Sequence, residues 1–197
     1  MKSTNVLIVG VGGQGVILAS DLIAEVAMDA GYDVKKSDSI GMAQRGGSVV
    51  SHVRFGDKVH SPLIAQGQAD FLLGFEELEA ARYANFLSSS GIAIVADFTL
   101  IPITVYESKI PYPDWSKTSA ILSQFTKKVH RIPIGAVSKE LNNPRALNMV
   151  MTGYLAGFLD IDETKWHDNI RRKLAPRFVE EGLTAFNKGL AGAGKLK

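Results

Sequence analysis

The residues best suited to chemistry here would act through their backbone. Gly10-Val11-Gly12-Gly13-Gln14-Gly15 reads G-x-G-x-x-G, follows the apolar run Val6-Leu7-Ile8-Val9, and precedes a stretch of helical periodicity. That is the strand–turn–helix setting the pattern requires. Glycines let the chain turn tightly out of the strand and leave no side chain above the first helical turn. The unpaired N–H groups and the positive end of the helix dipole there favour an anion. Gly10, Gly12, Gly13, Gln14 and Gly15 are therefore candidates for holding a nucleotide or phosphate. The same glycines would equally serve a close strand-to-helix crossing with no ligand, and the motif does not choose between the two.

A dinucleotide reading demands a ribose-binding carboxylate about 20 residues further on, at the end of the second strand. Lys35 and Lys36 hold the nearest positions, and Asp38 follows between Ser37 and Ser39, where it could as easily cap a turn. The second candidate stretch is Ser39-Ile40-Gly41-Met42-Ala43-Gln44-Arg45-Gly46-Gly47-Ser48. Gly46 and Gly47 can adopt backbone angles closed to other residues. Arg45, beside Gln44, offers a planar fork for a carboxylate or phosphate. A long turn with a solvated arginine is the competing account. His52 stands on an alternating segment with no acid nearby to partner it, which suits a strand face or an interface better than catalysis.

Regular elements must place these residues. Asn5–Val9 is an apolar run without alternation, as in a strand buried on both faces. Leu18, Leu22 and Val26, with Ile23, Ala27 and Ala30 beside them, form an apolar helical stripe that Gly31 ends. A short strand at Asp33–Ser37 completes β–α–β, and hence a parallel pair. Ser48–Phe55 alternates and turns at Gly56-Asp57 into a short partner strand at Lys58–His60, an inserted hairpin. Further strands are expected at Ala69–Phe75, Ile92–Ala96 and Val129–Ile132, with Asp97 at the carboxyl end of the second of these. Helices are expected at Glu76–Leu87, Trp115–Lys127, and from Asn143 onward, where Arg171-Arg172-Lys173 reads as a solvated face. The fold class is α/β: a Rossmann-like three-layer α/β/α sheet, mostly parallel, with an inserted β-hairpin and a helical C-terminal third. A single domain over residues 1–190 and a flexible tail over 191–197 are expected.

Composition narrows the function. The 197 residues suffice for one domain with a substantial core, and a formal charge of +2 does not announce nucleic acid or membrane. No apolar run approaches the roughly 20 residues of a spanning helix, so a soluble cytoplasmic protein is expected. There is no cysteine, hence no thiolate nucleophile and no cysteine-ligated iron–sulfur cluster on this chain.

The glycine loop, combined with Gly41-Met42-Ala43-Gln44-Arg45-Gly46-Gly47-Ser48-Val49, resembles the gamma-type subunits of 2-oxoacid:acceptor oxidoreductases. It is most similar to the beta-subunit type of the indolepyruvate ferredoxin oxidoreductases. The likeness continues through Ser61-Pro62-Leu63-Ile64, Ala69-Asp70, Glu76-Glu77-Leu78-Glu79-Ala80 and Asn148-Met149-Val150-Met151-Thr152-Gly153, with Thr152 standing where the closer pattern has leucine. The resemblance implies a complex that oxidatively decarboxylates a 2-oxoacid, forms the acyl-CoA from coenzyme A and passes electrons to ferredoxin. Thiamine diphosphate, magnesium and iron–sulfur clusters would then belong to a partner subunit. No cofactor, metal or catalytic residue falls on this chain; ferredoxin is met indirectly. Ser39, Gln44, Arg45, Gly46, Gly47 and His52 become interface or substrate-proximal candidates. The isolated chain is expected to form a homodimer through the helices after Asn143 and the strand Ser48–Phe55, with no role for nucleic acid or membrane.

Overall fold

The computed structural model describes residues 3–41, 47–101, 111–141 and 146–194. Within them lie six strands, β1 (Thr4–Val11), β2 (Asp33–Ile40), β3 (Ser48–Gly56), β4 (Ala69–Gly74), β5 (Leu87–Ala96) and β6 (Lys128–Ile132). The helices are α1 (Val16–Asp29), α2 (Glu77–Arg82), α3 (Trp115–Leu122), α4 (Ile134–Glu140), α5 (Leu147–Ala156), α6 (Glu163–Lys173) and α7 (Val179–Ala193). The strands form one sheet in the order β2-β3-β1-β4-β5-β6. β1, β4, β5 and β6 are parallel, and β3 runs antiparallel to both its neighbours.

Burial explains this order. Val6, Leu7, Ile8 and Val9 are fully buried, so β1 lies at the centre, covered on both faces. One face packs Ile8, Leu73 and Ile94 under α1 and the C-terminal helices; the other packs Leu7, Leu72 and Val95 under α2 and α3. The expected parallel pairing of β1 with the strand at Asp33 does not form, because β3 intervenes. β3 is the more apolar of the two, with Val53 and Phe55 in the α1 layer and Val50 in the opposite one. β2, carrying Lys35, Lys36, Asp38 and Ser39, takes the edge, where charge is tolerated and discourages further pairing. The inserted hairpin is thus β2–β3. Lys58–His60 forms no strand: the Val59 N–H instead donates to Asp33 Oδ2 at 3.0 Å.

Other boundaries moved for equally local reasons. The serine run Ser88–Ser90 belongs to β5, which begins at Leu87, so α2 and a short 3₁₀ turn over Ala84–Phe86 replace one longer helix. Asp29 and Glu25 at the end of α1 pair with Arg172 and Lys173 of α6, so this part of the basic run clamps two helices. α7 continues to Ala193, beyond the point expected from the sequence. Gly31, with φ of 92°, terminates α1 as expected.

The apolar surface expected to drive a homodimer is largely internal. β3 is an interior strand, and Met149, Val150, Met151 and Leu155 of α5 are all in the core. α5 and α7 pack closely enough that a Cβ at Gly153 would lie 2.1 Å from the Phe186 carbonyl oxygen, and one at Gly189 would lie 2.0 Å from that of Val150. No described helix is long and apolar enough to cross a membrane.

Candidate functional site

β1 leads into α1 on one face of the sheet and β4 into α2 on the other. The carboxyl ends of β1 and β4 therefore bound the topological switch point, where open α/β sheets bind ligands. The glycine loop sits there. Its crevice is occupied by one of its own side chains. Gln14 Oε1 accepts from Val11 N–H at 2.7 Å, and Nε2 donates to the Phe75 carbonyl at 2.9 Å. A Cβ at Gly10 would fall 2.8 Å from Gln14 Oε1 and 2.9 Å from both Phe75 Cβ and Val16 Cγ2. The first glycine thus makes room for the protein's own closure.

The remaining glycines do separate work. Gly12 N–H donates to Gly47 O at 2.9 Å, which joins the loop to the end of the second motif. Gly13 and Gly15 have φ of 102° and 82°, left-handed values that favour glycine. Gly13 is exposed with nothing near a Cβ, whereas a Cβ at Gly15 would lie 2.5 Å from Asn148 Nδ2. Asn148 thus caps the loop from the first turn of α5. Thr152 is fully buried in that helix and donates its hydroxyl to the Asn148 carbonyl at 2.7 Å, so a polar residue is accommodated there.

Beside the loop opens a cleft of about 550 Å³ lined by Gly13, Gly15, Asp97, Ile134, Ser138 and Asn148 among others. Asp97 Oδ1 accepts from Gly135 N–H at 3.2 Å, so it orients the start of α4. The uncapped N-terminus of α1 adjoins this cleft.

The other candidates separate. Gln44, Arg45 and Gly46 lie outside the described residues. Ser39 is exposed on the edge strand, opposite Val50. Asp38 accepts from Ser51 Oγ and from Lys36 Nζ, both at 2.7 Å. His52 Nδ1 accepts from Ile64 N–H at 3.2 Å, and its ring meets Phe86 edge-on at 5.9 Å. The proton is thereby assigned to Nε2, and burial holds the pKa below its usual value despite the charge of Asp38. These contacts make His52 a packing residue on the side of the sheet away from α1.

A feature not singled out from the sequence lies at α2. Glu76, Glu77 and Glu79 turn inward. Glu79 accepts from Ser48 Oγ and from Arg82 at 2.8 Å, and Glu77 pairs with Arg131 of β6 at 2.8 Å. Glu76 caps α2 by accepting from Glu79 N–H at 2.8 Å. The sequence signal was present, three acids within four residues at the end of a buried strand, but it also matches an ordinary acidic first turn.

Residues 5–192 match the family described as pyruvate ferredoxin/flavodoxin oxidoreductase. The chain is similar to the indolepyruvate oxidoreductase subunit IorB of Pyrococcus horikoshii, at 34% identity over 201 residues, covering 100% of this chain and 98% of the relative. It is 36% identical over 187 residues to the protein of the same name from Archaeoglobus fulgidus, covering 94% and 92% of the two chains. Among solved structures, the gamma subunit of keto/oxoacid ferredoxin oxidoreductase from Geobacter sulfurreducens PCA shares the fold, with a TM-score of 0.75 at 22% identity, over 100% of this chain and 99% of that one. Matched along nearly all its length, and more than a third identical to these full-length relatives, the chain belongs to the pyruvate ferredoxin/flavodoxin oxidoreductase family.

Proposed function

We propose that the chain is a subunit of a thiamine-dependent 2-oxoacid:ferredoxin oxidoreductase that oxidatively decarboxylates indolepyruvate or a related aryl 2-oxoacid to the acyl-CoA. The observation that carries this reading is the similarity over whole chains to indolepyruvate oxidoreductase subunits. Thiamine diphosphate, magnesium and iron–sulfur clusters are assigned to the partner subunit, because the residues here do not suit them. The chain has no cysteine. Among the described residues, the inward-facing acids of α2 are already engaged by Arg131, Arg82, Ser48 and backbone N–H groups. The part of this chain is to present the carboxyl edge of its sheet to the partner, with coenzyme A entering as co-substrate. A free-standing NAD(P)-dependent reductase is disfavoured: Gln14 fills the crevice and Asp38 is committed to Ser51 and Lys36.

Reconstitution tests the reading. The isolated chain is expected to be colourless and inactive toward indolepyruvate, with activity appearing when the thiamine-bearing partner is added. Indolepyruvate-dependent acceptor reduction by the chain alone would overturn it. Arg45, in the second motif, is expected to meet a carboxylate, phosphate or substrate acid across the subunit boundary. Arg45→Ala and Arg45→Lys, the latter keeping charge but losing the planar fork, should each reduce assembly or turnover by more than about tenfold. A solvated arginine would leave both within about 0.5 kcal/mol of wild type.

A further inference from the structure

Glu76, Glu77 and Glu79 are 0%, 3% and 6% exposed. Two of them have a cation, Arg131 for Glu77 and Arg82 for Glu79. Glu76 has none among the described residues. Its oxygens accept from Glu79 N–H at 2.8 Å, from the Tyr112 hydroxyl at 2.9 Å and from Leu100 N–H at 3.4 Å. Every one of these donors is uncharged. A buried carboxylate so placed carries an uncompensated desolvation penalty, and a second carboxylate, Glu79, sits on the same turn.

The charged and titratable groups around Glu76 can be named. On its own element, Glu79 is tied to Arg82 and Glu77 is turned toward Arg131 of β6. From β3, Ser48 donates to Glu79 and not to Glu76. From the segment before α3 comes Tyr112, whose phenol is kept protonated by burial and by the charge of Glu76. A phenol oxygen can also accept a hydrogen bond. Tyr112 thus matches either protonation state of its partner.

We infer that Glu76 is a proton-taking joint at the carboxyl edge of the sheet. The Tyr112 hydroxyl donates to its ionised carboxylate and accepts from its protonated carboxyl, so the contact holds in both states, and protonation removes the buried charge that no cation compensates. Burial raises the Glu76 pKa above the usual 4.5, against the pull of its hydrogen bonds. A group raised in the folded state contributes stability that is fully present below its unfolded value and lost as pH rises through its folded value. Acidification toward 4.5 therefore stabilises the fold through Glu76. Asp33 behaves in the opposite sense: its pKa is lowered to about 2, chiefly by Lys35, so its contribution is lost in acid.

The test is denaturant unfolding of the full chain between pH 8 and about pH 4.5, for wild type, Glu76→Gln and Tyr112→Phe. The unfolding constant of wild type relative to Glu76→Gln should fall with decreasing pH, by up to about tenfold per unit within the titrating window. Tyr112→Phe removes a donor to the charged form and should move that window to higher pH. A wild-type-to-Glu76→Gln ratio that stays flat across the range overturns the inference. Should Glu76→Gln fail to fold, a flat wild-type-to-Tyr112→Phe ratio does so instead. Unfolding needs neither partner nor thiamine, so this outcome is independent of the proposed activity.

Discussion

Gly189→Ala is expected to destabilise the chain by about 3 kcal/mol, the upper end of the usual range for overpacking. The added Cβ would lie 2.0 Å from the Val150 carbonyl oxygen and 3.0 Å from the Tyr154 nitrogen, both backbone atoms. Backbone inside α5 cannot rotate aside as a side chain would. The helices must separate, and the contacts of Phe186 and Leu183 with the core loosen with them. Gly153→Ala makes the reciprocal clash, at 2.1 Å from the Phe186 carbonyl oxygen, and should behave alike. The two will not add, since they open the same interface. Alanine's better helix propensity returns about 1 kcal/mol in each case. Gly135→Ala, in α4 with nothing within 4 Å of its Cβ, isolates that gain and should be neutral or stabilising. Urea midpoints at unchanged m-value measure all three. Losses below about 0.5 kcal/mol for Gly189→Ala and Gly153→Ala would mean that α5 and α7 lie further apart than described.

What could be read from the residues alone depended on whether the signal was local. The apolar run Val6–Val9 and the stripe Leu18, Leu22 and Val26 each report a single element, and β1 and α1 followed with little change. Gly31 stops α1 through its own backbone angle. Strand order is not local. The position of β3 between β1 and β2 follows from comparing Val50, Val53 and Phe55 with Lys35, Lys36 and Asp38, a contest between distant segments. Likewise Ser88–Ser90 looks like a loop, and it is carried into β5 by its flanks, Leu87 and Ile92, which pair with Ala69 and Phe71 of β4. The carboxylates at α2 were hidden for the same reason. Their partners Ser48, Tyr112 and Arg131 are remote in sequence, and nothing nearby distinguishes an inward Glu76 from a solvated one. Both motifs were visible as motifs. Whether their glycines face a ligand or the protein depends on what packs on them, and at Gly10 and Gly15 the nearest neighbours of an added Cβ include Gln14 and Asn148.

Gln14→Leu is expected to lower the stability of the isolated chain by about 2–4 kcal/mol, as an effect of two unpaired backbone groups. Leucine keeps an apolar branched side chain one bond shorter than glutamine's and offers neither acceptor nor donor. Val11 N–H would lose its 2.7 Å acceptor and the Phe75 carbonyl its 2.9 Å donor. Val11 is 6% exposed and Phe75 fully buried, so water reaches neither group without opening the junction of β1 and β4. Gln14→Glu separates the two halves of the bridge. It keeps an acceptor for Val11 but turns a carboxylate toward the Phe75 carbonyl oxygen, so it should be no better tolerated than leucine, and its deficit should shrink in acid as the carboxyl regains a donor. Were Gln14 held in place for a ligand or partner, both substitutions would leave the isolated chain within about 0.5 kcal/mol of wild type, and the loss would appear only on assembly. Unfolding of the chain alone, followed by titration of each variant with the proposed thiamine-bearing partner, distinguishes the two cases. A stability loss already complete in the isolated chain identifies Gln14 as the closure of the crevice at the switch point.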